Sequence, residues 1–231
     1  QVTVTSTLSW AVLLLQTRDP LLSDVRVRQA LARAIDGKLV AEAASFGLAA
    51  PNPSAVAVAS AYHGDAAWPA FDPAEATKLL QQAGRAGTTI RIQTNNRPTG
   101  QYEAALMIQG LLTGAGIDAQ LETLDWATQL QNYREGKFQA SVFTFSGRPD
   151  PALAFDSIIG SKDEDPTSQW EDPQAIAWLA EAKTVEDKAG RQAIFDRLHA
   201  GMAEQVPVIG LFNPVQVTAV GPKVRGYADW A

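Results

Sequence analysis

The chain has 231 residues, 46% of them hydrophobic, and a formal net charge of −6. That length supports a substantial core in one or two domains. The basic residues are scattered, without the basic stripe of a nucleic-acid binder, so no nucleic-acid partner is expected. No apolar run approaches the roughly 20 residues a membrane-spanning helix needs.

Residues 2–16 are rich in Val, Thr and Leu and read as extended, up to the break at Asp19-Pro20. A helix is predicted from Asp24 to Ser45, with Ser23 or Asp24 as cap, an apolar stripe through Val27, Leu31, Ile35 and Leu39, and a solvated face through Arg26, Gln29, Arg33 and Asp36. Residues 48–70 hold Pro51, Pro53, Gly64 and Pro69 and form a long irregular loop, of the kind that often carries function. Asp72-Pro73 opens a second helix, with the proline at its first helical position.

The segment from Thr89 to Phe145 reads strand–helix–strand–helix–strand. Strands at Thr89–Thr94, Ile117–Leu124 and Phe138–Phe145 alternate with helices at Gly100–Gly114 and Trp126–Glu135. Such alternation predicts a parallel sheet. Parallel strands send their following loops to one edge, where ligands sit in open α/β sheets. Two of those loops carry arginines, Arg97 and Arg148, and Trp126 starts the helix at the same edge. After Pro151 come a short helix, an acidic loop through Asp163, Glu164 and Asp165, a helix opening at Asp172-Pro173 and another at about Glu186–Gln205; residues 208–220 are again extended.

Enzyme signatures are missing: no Gly-x-Ser-x-Gly elbow, Walker loop, His-Glu-x-x-His or Gly-x-Gly-x-x-Gly occurs. The absence of cysteine excludes disulfides, thiolate metal sites and cysteine nucleophiles, and leaves the compartment open. His63 and His199 lie far apart, outside any metal-ligand spacing; His63 reads as exposed and His199 as lying off the apolar stripe of its helix. The acidic loop lacks the spacing of an EF-hand and reads as solvated.

Four stretches together carry a family resemblance: DPLLSDVRVRQALARAIDGKLV, FDPAEATKLLQQAG, MIQGLLTGAGIDAQLETLDWATQLQNYREGKFQASVFTF, and PDPALAFDSIIG followed by WEDPQAIAWLAEA. In this order they resemble the extracellular solute-binding proteins of family 5, the dipeptide, oligopeptide and nickel cluster of ABC importers. The resemblance implies an α/β lobe of a type II periplasmic binding protein, mainly a parallel sheet flanked by helices. Residues 1–17 would be a strand entering the lobe, 18–206 the lobe itself, and 207–231 a strand returning toward an N-terminal lobe outside this chain. The chain is then expected to be the C-terminal lobe of a trimmed or longer protein, located in the periplasm or outside the cell at the membrane. It would capture a small organic solute for an ABC permease without catalysis or cofactor.

In dipeptide-binding members of that family an Arg-Pro at the place of Arg97-Pro98 binds the ligand carboxylate, work suited to a guanidinium that is always charged and grips in bidentate fashion. The alternative is a solvated loop arginine. Aligned on Asp150-Pro151, the family's amine-binding aspartate falls on Gly147, which puts recognition of a free amino group in doubt. Arg148 beside it favours a second acidic group on the ligand, unless it pairs with Asp150 or Asp125. Trp126 either stacks on a ligand or packs in the core, and the start of its helix offers partial positive charge to an anion. The expected ligand is a peptide, an opine-like conjugate or a sugar phosphate; a nickel or metal-chelate ligand, and a metabolite-sensing regulator on the same fold, stand as alternatives.

Overall fold

A computed structural model describes residues 2–64, 67–97 and 99–228. Its centre is a five-stranded sheet in the order β4-β3-β5-β2-β6, built from β2 (Trp10–Leu15), β3 (Thr89–Asn95), β4 (Asp118–Leu124), β5 (Ala140–Phe145) and β6 (Val208–Phe212). The three strands of the central repeat are parallel, as their alternation with helices predicted. β2 runs antiparallel to both β5 and β6, so the sheet is mixed. A separate two-stranded antiparallel ribbon joins β1 (Val2–Ser6) to β7 (Val215–Ala219).

β2 is buried at every position. Its alternation sends Ala11, Leu13 and Leu15 into one apolar layer and Trp10, Val12 and Leu14 into the other. The first layer is covered by α1 (Val25–Ala34), α2 (Gly37–Ser45), α3 (Pro73–Gln82) and α4 (Gln101–Gly114), the second by α5 (Trp126–Arg134), α6 (Pro151–Asp156), α7 (Pro173–Ala182) and α8 (Lys188–Gln205). A strand covered on both faces is a continuous apolar run, and WAVLLL is that run.

Three expectations are corrected. The extended segments 2–16 and 208–220 are each divided between the ribbon and the main sheet, with breaks at 7–9 and at Asn213-Pro214. The single helix expected over Asp24–Ser45 is two helices, because Asp36 caps a new one by accepting from the backbone N–H of Lys38 (2.9 Å) and Leu39 (3.4 Å). His199 is buried on the apolar face of α8, its ring 6.1 Å from that of Trp68.

Residues 51–58 of the long loop lie against the base of the ribbon. Asn52 Nδ2 donates to Asn213 Oδ1 (2.8 Å) and to the Val56 carbonyl (3.0 Å), and Asn213 Nδ2 donates to the Ser9 carbonyl (2.7 Å). Gly210 permits the approach: a Cβ there would lie 2.4 Å from the Pro53 carbonyl oxygen. The loop is thereby fixed beside the C-terminal edge of β5.

Candidate functional site

Parallel pairing of β3 with β4 and with β5 puts the loops after all three strands at one edge. Antiparallel β2 starts there too, with Trp10 opposite Phe145. The edge therefore gathers Arg97, Trp126, Gly147, Arg148 and Trp10, as foreseen for all but Trp10. Pro98 lies outside the described residues.

Arg97 is exposed, and its guanidinium carbon sits 5.0 Å from the centroid of the Trp126 ring. Trp126 is half-buried and stacks on Phe143 at 5.5 Å; Phe143 meets Phe145 at 5.4 Å, and Phe145 stacks on Trp10 at 6.0 Å. Trp126 thus packs on one side against the core, as one of its two expected roles had it, and faces Arg97 on the other. The aromatic chain runs along the edge from the Arg97 loop to the Arg148 loop.

Arg148 is exposed and forms no ion pair with a described carboxylate. The two partners considered for it are engaged elsewhere. Asp150 accepts from Arg191 (2.6 Å) and caps α6 through the Ala152 N–H (3.0 Å). Asp125 caps α5, accepting from Thr128 N (3.0 Å) and Thr128 Oγ1 (2.6 Å), bonds that hold its carboxyl below the usual range. That cap also places a carboxylate at the N-terminus of α5, so this helix end offers little to a further anion.

Gly147 sits against the turn between β1 and β2. A Cβ at this position would lie 2.9 Å from Leu8 Cβ and 3.1 Å from the Leu8 carbonyl carbon. An aspartate here would have to push the Leu8–Ser9 segment aside.

The Arg97 loop is set by buried amides that the sequence reading did not single out. Asn95 Oδ1 accepts from the Arg97 N–H (3.0 Å), and its Nδ2 donates to Gln101 Oε1 and Gln129 Oε1. Gln129 Nε2 donates to Ser141 Oγ and to the Val142 carbonyl, both at 2.9 Å, and Gln101 Nε2 to Thr144 Oγ1 at 3.0 Å. These bonds tie the ends of β3 and β5 to α4 and α5, and in a buried setting each partner is needed. Gly100, at φ 75°, brings the start of α4 close to α2, where a Cβ would lie 2.3 Å from the Ala44 carbonyl oxygen.

A small cavity lies at the Arg148 end of the edge, bordered by Trp10, Ser60, Phe145, Ser146, Arg148 and the start of α6. Arg148 is the charged residue on its wall. No group of three or more His, Cys, Asp or Glu suited to a metal occurs among the described residues.

Residues 1–166 match the family model described as bacterial extracellular solute-binding proteins, family 5 Middle. The chain belongs to this family. Among curated relatives, it is 27% identical over 219 residues to heme-binding protein A of Haemophilus influenzae, covering 89% of this chain and 39% of that protein. It is 29% identical over 168 residues to di/tripeptide-binding protein 4 of Pseudomonas aeruginosa, covering 69% of this chain and 31% of that protein. HbpA2 from Haemophilus parasuis superposes with a TM-score of 0.85 at 25% identity, over 94% of this chain and 45% of that one. The chain therefore spans less than half the length of these relatives, and its fold is that of a lobe of a type II periplasmic binding protein.

Proposed function

We propose that this chain is one lobe of a solute-capturing protein of an ABC importer, and that a second, N-terminal lobe of the same polypeptide closes over the edge described above. The ribbon of β1 and β7 would carry the chain across between lobes, giving the hinge about which closure occurs. The solute is a small organic molecule with at least one carboxylate or phosphate, such as a peptide, an opine-like conjugate or a sugar phosphate. Capture takes place in the periplasm or outside the cell at the membrane, and the ABC permease receives the solute with no bond made or broken.

The observation that carries this reading is the pair of guanidinium groups at one strand edge, neither of them neutralised by a described carboxylate. A charged group on a protein surface is usually solvated, but two at a ligand-binding edge joined by an aromatic surface fit an acidic solute. Arg97 would hold one acidic group and Arg148 another, with Trp126 orienting the first arginine. Gly147 leaves the site without the carboxylate that a free amine would require. Calorimetry on the intact protein with an acid-bearing solute tests the reading: Arg97→Ala and Arg148→Ala should each weaken binding at least tenfold, and unchanged affinity in both would reduce these residues to scaffold.

A further inference from the structure

Trp10 is 2% exposed, and its indole N–H has no hydrogen-bond acceptor among the described residues. The indole nitrogen can only donate, and a donor withdrawn from water without an acceptor is disfavoured. Trp10 also borders the cavity at the Arg148 end of the edge, which has room for about 10 Å³, enough for a single water-sized oxygen atom. The lining side chains with polar atoms are those of Trp10, Arg148, Ser60, Ser146 and Ser157, and no carboxylate among the described residues borders the cavity. The unmet demand at this place is for an acceptor, ideally an anionic one.

We propose that this cavity is a subsite for one acidic oxygen of the solute, received between the Trp10 indole N–H and the Arg148 guanidinium. The inference rests on the reading that this edge is half of a solute cleft and specifies its chemistry. The end of the solute nearest Gly147 carries an acid or an acylated nitrogen rather than a free amine, and the solute's middle lies along Phe145 and Trp126. A solute with acids at both ends satisfies Arg97 and the cavity together.

The test uses intact protein labelled with ¹⁵N at the tryptophan indoles and two probes, succinyl-Ala-Ala, with acids at both ends, and Ala-Ala, with a free amine. Trp10→Phe assigns the Trp10 resonance; should that variant fail to fold, cross-relaxation with the Phe145 ring assigns it. Succinyl-Ala-Ala should shift the Trp10 N–H resonance saturably, and Arg148→Gln, a change on an exposed side chain, should weaken this probe about tenfold. Ala-Ala should leave the resonance in place. If succinyl-Ala-Ala binds in a manner that depends on Arg97 while the Trp10 resonance and Arg148→Gln are without effect, the cavity holds a water only; the subsite is then refuted and acid capture stands. A stronger response to Ala-Ala, or no binding of succinyl-Ala-Ala, also overturns the subsite, and in the latter case the acid-capture reading is judged separately by the solute that co-purifies.

Discussion

Arg97 lies over the ring of Trp126, 5.0 Å from its centroid, although 28 residues and a complete helix–strand unit separate them in the chain. The parallel register of β3 and β4, with Asn95 beside Leu124, brings the two together. A cation over an aromatic face at an exposed site gains about 0.5–1 kcal/mol. Trp126→Ala should therefore release the guanidinium from its position and weaken binding of an acidic solute by about two- to fivefold, with Trp126→Phe retaining most of the affinity. Calorimetry on the intact protein measures both.

Asn95 connects the Arg97 backbone to the amides of Gln101 and Gln129 in a buried setting. Asn95→Ala leaves those acceptors without a donor, and an unpaired buried polar group costs about 1–3 kcal/mol. Urea unfolding should show a loss of this size, and because the Arg97 loop is anchored here, solute affinity should fall too. A neutral result for both would mean that the amides repartner freely.

Gly147 is confined by Leu8 and Ser9. Gly147→Ala forces that turn to move, and overpacking of this kind costs about 1–3 kcal/mol. A lowered melting temperature is expected. Gly147→Asp should be no better tolerated and should not confer affinity for Ala-Ala, as read by calorimetry.

Lys162 is buried, donating to the Ser168 carbonyl and to Gln169 Oε1 (3.2 Å), and burial pushes its ammonium down from 10.5 to about 8. Between those values the unfolded chain holds a proton that the folded chain has lost, so stability rises with pH across that window. Tyr133, whose phenol burial pushes upward, acts in the opposite direction once the pH exceeds 10.0. Urea unfolding should thus show stability increasing from pH 8 to pH 10, and Lys162→Met should flatten the rise. A wild-type curve level over this range would contradict the account.

The β3–α4–β4–α5–β5 unit is readable because its signals are local: Ile90 and Ile92 alternate with the exposed Thr89 and Arg91, and Asp125 caps the helix it precedes. Arg97 and Arg148 followed from that unit alone. The division of the first extended segment also has a local basis, since the Thr-rich half alternates in burial and WAVLLL is buried throughout, but an unbroken run of strand formers hides it. Asp36 was hidden for the same reason: helical spacing of apolar residues continues across it, and only the cap marks the break. Arg28, between residues read as solvated, turns inward to donate to the Gln205, Val206 and Leu22 carbonyls, where it caps α8. The amides around Asn95 and the orphaned N–H of Trp10 depend on partners distant in sequence, so residue type alone points such groups toward solvent.

The most direct measurement is the identity of the solute that co-purifies with the intact protein, by mass spectrometry of the denatured extract. That solute should be a small organic molecule bearing at least one carboxylate or phosphate, and it should be lost from the Arg97→Ala, Arg148→Ala double variant. A solute that is strictly cationic, retained in full by that variant, would contradict that expectation.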